Sequence, residues 1–281
     1  MGPVKEFRLT DIDDRNISYF LLFVPEDMRP LYGKASCLFI GAVDGDGLAS
    51  GVLVAAYVRR WEVLWLYVAE PCRRQGAATL LLEGLASYYG GGTVGGIHAY
   101  VTGVMRHEAV IPLFRKAGFS VGGMDGGAYF ESKLAWVSGI GFPSGKPQYA
   151  APIASLTAGQ LSKLGKKLAL WDAPAQIPLP IGESDFAPCS SVGIDRGEAV
   201  GACFVQKKAG GLRVCYLHVE NGRRDVLIGI LAATLQAMKE TYPETTRVSA
   251  LAMDGISARI CRKLAGEAIE YKAFRAFRHP G

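Results

Sequence analysis

The chain has 281 residues, 49% of them hydrophobic and 20% charged, enough apolar material for one large or two modest cores and too much for a disordered chain. No run of 18 apolar residues escapes a charge or a glycine, so no bilayer-spanning helix is expected. The 31 basic and 26 acidic residues leave a charge of +5, spread over scattered pairs such as Arg59-Arg60, Arg73-Arg74 and Arg223-Arg224, a pattern that suits a small anionic ligand at least as well as a nucleic acid, which is not the expected partner.

In chain order, Phe7-Arg8-Leu9 reads as a short strand, and Asp11 to Asp14 offers helix-capping side chains before the apolar stretch Ile17 to Val24. Leu38 to Val43 and Leu48 to Val58 flank Asp44-Gly45-Asp46-Gly47, the signature of a hairpin whose turn needs a positive φ. Glu62 to Val68 continues the meander. The period then changes: Gly76 to Tyr89 is apolar at nine positions in helical spacing, and Gly90-Gly91-Gly92 stops it. Ile97 to Thr102 is a strand, and Glu108 to Ala117 a helix closed by Gly118.

Lys133 to Ala151 is rich in Gly, Pro and Ser and reads as a linker. A second α/β stretch follows, with a helix at 156–170 capped by Thr157, a meander at 192–219, a helix at 225–239, a strand at 248–252 and a helix at 256–264. It repeats the first. Ala49-Ser50-Gly51-Val52-Leu53 matches Ala199-Val200-Gly201-Ala202-Cys203, Leu66-Tyr67-Val68 matches Leu217-His218-Val219, and Phe114-Arg115-Lys116 matches Cys261-Arg262-Lys263, all at nearly one offset. The expected division is 1–135, a linker at 136–154, and 155–281.

The segment with chemical content runs from Leu66 to Leu81: a strand end, the basic turn Ala69-Glu70-Pro71-Cys72-Arg73-Arg74-Gln75, and a helix opening at Gly76-Ala77-Ala78. A helix start presents unpaired N–H groups and a positive dipole end, which suits a pyrophosphate. Gly76 and Ala78 allow close approach, and Arg73 and Arg74 add charge. Other patterns fail on context. Gly90-x-Gly92-x-x-Gly95 follows a helix instead of a strand, the four histidines never reach metal-ligand spacing, and no serine sits in a nucleophile elbow. The six cysteines, irregularly spaced without a C-x-x-C pair, point to free thiols in a reducing compartment. With no signal-peptide core at the amino terminus, cytoplasm is the expected location.

Arg73-x-x-Gly76-x-Ala78 resembles the acetyl-CoA signature of the GCN5-related N-acetyltransferase (GNAT) superfamily, and Leu113, Gly118 and Phe119 match a later segment of it. The resemblance implies a mixed, mainly antiparallel twisted sheet flanked by helices, in two tandem copies. It implies acetyl-CoA held by Val68, Ala69, Arg73, Arg74, Gln75, Gly76, Ala77, Ala78 and Phe114, with a backbone N–H near Val68 as oxyanion donor. Two departures stand out: His107 replaces an Asn, and Phe114 stands where the family often has a tyrosine that protonates the departing thiolate.

Tyr67, His98 and Tyr100 sit on strands that splay in this fold, so with His107 they are the candidate catalytic residues lining an acceptor cleft. In the second copy Leu227 and Ile228 fall at the close-approach positions and Asp225 adds negative charge, so that copy is expected to bind no CoA. The expected activity is acetyl transfer from acetyl-CoA to a small-molecule amine by direct attack, without a metal. The alternatives are a non-catalytic acyl-CoA-binding module and a tRNA-dependent aminoacyl transferase; an intact phosphate turn argues against the latter.

Overall fold

In a computed structural model, the chain is described at residues 6–57, 60–89, 96–102, 107–137, 149–171, 173, 177, 186–208 and 210–279, with 89, 102, 107 and 108 as backbone alone. Its elements are β1 (Phe7–Asp11), α1 (Ile17–Leu21), β2 (Cys37–Asp44), β3 (Ala49–Tyr57), β4 (Trp61–Val68), α2 (Ala77–Tyr89), β5 (Ile97–Thr102), α3 (His107–Lys116), β6 (Ser120–Lys133), β7 (Ala150–Pro152), α4 (Ala158–Leu170), β8 (Ser191–Asp195), β9 (Glu198–Lys208), β10 (Gly211–Val219), α5 (Arg224–Thr241), β11 (Arg247–Ala252), α6 (Gly255–Leu264) and β12 (Ile269–Arg278). They divide into two compact units, Met1–Gly123 with Phe274–Gly281, and Met124–Ala273. This differs from the expected division: the boundary falls inside β6, and the last eight residues join the first unit. Within the expected linker, Ala150–Pro152 pairs with β8, and residues 138–148 lie outside the described ones.

In the first unit the strand order is β1-β2-β3-β4-β5, then the end of β12. β1–β2, β2–β3 and β3–β4 pair antiparallel, and β4–β5 pair parallel. The β2–β3 hairpin closes as its sequence requires: Asp44 Oδ1 accepts from the N–H groups of Asp46 and Leu48, and the positive φ falls on Gly47. β3 is buried on both faces. Leu53 and Ala55 join Leu81, Leu82 and Leu85 of α2, while Val52 and Val54 pack with Phe20 and Val24 around α1. α1 is only five residues long, and Asn16, not an aspartate, occupies its N-cap. Phe274 and Ala276 lie in the α2–α3 core, and a Cβ on Gly96 would land on the Phe277 ring.

In the second unit the order is β6-β11-β10-β9-β8-β7, with β10–β11 parallel and each other neighbouring pair in that order antiparallel. Thr157 caps α4 in a reciprocal box with Gln160, as the sequence indicates. The repeat extends to detail. A Cβ on Gly51 would lie 2.8 Å from the Tyr67 carbonyl, and one on Gly201 2.8 Å from the His218 carbonyl. Trp65 Nε1 donates to the Phe23 carbonyl, and Tyr216 OH donates to the Trp171 carbonyl. The ring of Phe23 stacks on Tyr67, and that of Trp171 on His218.

Candidate functional site

The site begins with a strand that parts from its neighbour. β4 and β5 pair only at Trp61↔Ile97, Glu62↔His98 and Val63↔Ala99. Beyond Val63 the two diverge, and on its other edge β4 carries a bulge that leaves Leu64 without a partner position on β3. Ala69 N–H donates to the Ser50 carbonyl on the β3 side. Backbone groups alternate along a strand, so the N–H groups of Val68 and Leu66 point to the opposite edge, which β5 has vacated.

The chain then turns into α2. A 3₁₀ turn at Glu70–Cys72 precedes four residues, Arg73 to Gly76, before the helix. Arg74 has φ 62° and Gly76 φ 103°; the second value needs a glycine, and the first stores strain of about 1 kcal/mol or more in a non-glycine residue. A Cβ built on Gly76 would meet nothing within 4 Å, so the backbone there is bare. Arg73 folds back along β4, donating from Nε to the Val68 carbonyl (3.0 Å) with its guanidinium 5.7 Å from the Tyr67 ring centre. Gln75 Nε2 donates to the Pro71 carbonyl and braces the turn. No acidic residue stands in the first turn of α2, leaving its positive dipole end unopposed from within.

These parts line a cleft of about 1440 Å³ in the first unit, walled by β4, the start of α2, β5 and α3. Of the expected cofactor residues, Val68, Arg73, Arg74, Gly76, Ala78 and Phe114 line it. Ala77 points into the core at 1% exposure, and Ala69 and Gln75 shape the turn from behind. Phe114 is buried edge-on against Phe119, with no hydroxyl to offer. Among the expected catalytic residues, Tyr67 and Tyr100 line the cleft. His98 shares a strand face with Tyr100 but is buried against Phe277, away from the cleft lining. His107 opens α3, and its side chain lies outside the described residues.

Sequence reasoning missed Thr79, Lys116, Ala109 and Val110 as lining residues, and marked Leu113 of the same α3 stripe only as a motif match. The helical spacing of 109, 110 and 113 carried that signal. It also missed Arg60 and Glu62, whose side chains pair at 3.5 Å, Glu62 being 5% exposed. Burial and the Glu62 carboxylate push the Tyr100 phenol above its ordinary value, while Arg60 and Arg275 oppose them.

The second unit builds the same frame without the turn. β10 pairs with β11 from Gly211↔Arg247 to Val214↔Ala250, and its bulge falls at Cys215. After the 3₁₀ turn Glu220–Gly222, however, only Arg223 precedes α5. The helix runs back over the positions that form Arg74 to Gly76 in the first unit. Leu227 and Ile228 therefore lie within the helix instead of facing a turn. Arg223 is spanned by Asp195 (2.5 Å) and Asp225 (2.7 Å) and lies 5.0 Å from the Tyr149 ring centre.

A divergent β4–β5 pair opening onto a glycine-marked helix start defines the GNAT class of fold. Residues 9–119 match the Acetyltransferase (GNAT) family. A tandem GNAT protein from the clavulanic acid biosynthesis pathway superposes over 98% of this chain and 100% of its own at TM-score 0.64 and 13% identity. The GCN5-related glucosamine N-acetyltransferase region of a fungal multi-domain GH3 β-N-acetylglucosaminidase covers 98% of this chain and 38% of its own, at TM-score 0.63 and 10% identity. A GCN5-related N-acetyltransferase from Kribbella flavida covers 97% and 71%, at 0.53 and 16%. At these identities the likeness to solved structures is one of fold. No curated protein matches the sequence. Residues 9–119 thus carry the match to the GNAT family, and the chain as a whole has the tandem GNAT fold. Among the described residues no helix is long and apolar enough to cross a membrane, and no cluster of His, Cys, Asp or Glu has the makings of a metal site.

Proposed function

We propose that the chain is an acetyl-CoA-dependent N-acetyltransferase whose first unit binds the cofactor and whose acceptor is a small-molecule amine attacking directly. The observation that carries this reading is the Arg73–Gly76 turn, with bare backbone at Gly76, opening onto the vacated edge of β4. The residues fit the cofactor. Gly76 and the N–H groups at the start of α2 offer donors to a pyrophosphate, and Arg74 and Lys116 add positive charge at the cleft wall. Bound acetyl-CoA supplies an activated thioester. The Val68 N–H, on the open edge, donates to the thioester carbonyl oxygen as charge develops there, and Tyr67 and Tyr100 face the acceptor. The thiols in the core of the second unit are poor nucleophiles. Cys203 and Cys215 are buried, and burial pushes each thiol up to about 12.

Gly76→Asp places bulk and negative charge at the phosphate position, and calorimetry should find acetyl-CoA binding abolished. Parent-like affinity in that variant contradicts the site. A non-catalytic acyl-CoA-binding module is favoured by one observation, the buried, hydroxyl-free Phe114. Thiol release across a panel of amines separates the two readings: release supports the enzyme, and binding without release supports the module.

A further inference from the structure

Arg73 opens the basic turn, yet its head is carried away from the helix start that the turn serves. Side chains of β4 alternate between the two faces of the sheet. Leu66 and Val68 pack into the core with α2, whereas Trp65 and Tyr67 pack into the core around α1. The start of α2, assigned to the phosphates, therefore lies on one side of β4 and the Tyr67 ring on the other. The Arg73 guanidinium stands over that ring, 5.7 Å from its centre, and the ring itself stacks on Phe23. Arg73 Nε is engaged by the Val68 carbonyl at 3.0 Å. Among the described residues neither Nη has an acceptor and no carboxylate pairs with the head, which lies exposed at the cleft wall.

Val68 presents its N–H and its C=O to the same edge of β4, the one that β5 has vacated. The Arg73 head is thus within about 6 Å of an oxygen held by the Val68 N–H. Acetyl-CoA with its phosphates at the start of α2 reaches that N–H from the α2 side. The attacking amine is left the α1 side, where Arg73 stands. A guanidinium with both Nη groups unengaged takes a carboxylate by a forked pair of hydrogen bonds. A carboxylate carbon two bonds from the attacking nitrogen suits the short separation between the two.

Resting on the acetyltransferase reading above, we infer that the acceptor is an α-amino acid, attacking through its amino group while Arg73 holds its carboxylate. The neutral amino nitrogen bonds to the acetyl carbon as the C–S bond breaks. Sulfur leaves with the bonding pair and, on balance, with the proton that the nitrogen sheds. The products are an N-acetyl amino acid and free CoA thiol. An amine without a carboxylate leaves the guanidinium unpaired, and a polyamine brings like charge to it, so both are disfavoured.

The test measures thiol release by the full-length protein with each common amino acid, with its carboxamide, and with the amine that lacks the carboxyl group. At least one amino acid should be used with kcat/KM about ten- to hundredfold above its carboxamide. Arg73→Gln should bring that ratio to within about threefold of one, chiefly through KM for the amino acid, while acetyl-CoA affinity by calorimetry stays within about threefold. Both substrates meet the same preparation, so a loss of folded protein cannot move the ratio. Carboxamides or plain amines used as well as the acids by the parent overturn the inference. A ratio unchanged in Arg73→Gln overturns it too, and weakened acetyl-CoA binding in the same variant would return Arg73 to the phosphates. Acetyl-CoA bound by the parent with no release from any amine overturns the acetyltransferase reading, and the acceptor assignment with it.

Discussion

At the scale of single residues, Gly76 decides the site. Its φ of 103° is one that side chains rarely adopt, yet a Cβ there would touch nothing within 4 Å. The two facts separate cleanly. Gly76→Ala meets no neighbouring atom, so its cost is backbone strain of about 1–3 kcal/mol, and its methyl projects into the space proposed for a phosphate. A fall in melting temperature of about 2–4 °C per kcal/mol, with acetyl-CoA binding weakened at least tenfold, is the expected outcome by thermal shift and calorimetry. Unchanged affinity despite the lower stability would show that the phosphate does not approach there. The sequence marked Gly76 and Ala78 because a glycine at a helix start has a mechanical reason. It did not mark Arg60 or Glu62, since their relation to Tyr100 exists only once β4 and β5 are paired.

Between elements, the second unit shows why a frame can survive without its turn. Glu220 ties β10 to the end of α4, accepting from Lys167 Nζ and from Trp171 Nε1, each at 3.0 Å. Burial raises the Glu220 carboxyl, but the bonds from Lys167 and Trp171 outweigh it and hold the group below its ordinary 4.5. A carboxylate depressed in the folded state contributes stability that is fully present above its unfolded value and lost as pH falls through the folded one. Glu220→Gln should therefore cost about 1 kcal/mol at pH 7, discounted for partial exposure. The gap between parent and variant should close below about pH 4.5. Urea unfolding at the two pH values checks it, and a gap that persists in acid contradicts the assignment.

Much of this layer was legible in the sequence. The hairpin at Asp44–Gly47, the Thr157 cap and the helices α2 to α6 follow from local turn and capping chemistry and from period. β6 was not, because Gly122, Gly123, Gly126 and Gly127 dilute its strand signal. β12 was not either. Tyr271-Lys272-Ala273 and Phe274-Arg275-Ala276 repeat every three residues, a spacing that fits neither a strand nor a helix. The shortened turn before α5 was hidden for another reason. Substitution at Leu227 and Ile228 can be read from an alignment of the two halves, whereas the backward extension of a helix depends on which residues start it.

For the molecule as a whole, the units are not two consecutive segments of chain, because Phe274–Gly281 belongs to the first. Phe274 and Ala276 pack in its core, and Arg278 Nη1 donates to the Ala117 carbonyl at 2.7 Å. Deleting residues 274–281 should thus unfold or loosen the first unit, although the deleted strand end lies far from the rest of that unit in sequence. Acetyl-CoA binding should be lost with it, a result to read by calorimetry and by hydrogen exchange at β5 and α3. A truncation that binds as the parent does contradicts the partition. A fragment ending near residue 140 lacks the same part of the first unit's core and should be destabilised likewise.

With the turn intact only in the first unit, each chain should hold one acetyl-CoA. Titration of acetyl-CoA into the full-length protein by calorimetry reads both affinity and stoichiometry. One molecule bound per chain, abolished by Gly76→Asp and unaffected by Arg223→Gln in the second unit, is the result predicted. Two molecules per chain, or binding that survives Gly76→Asp, would contradict it.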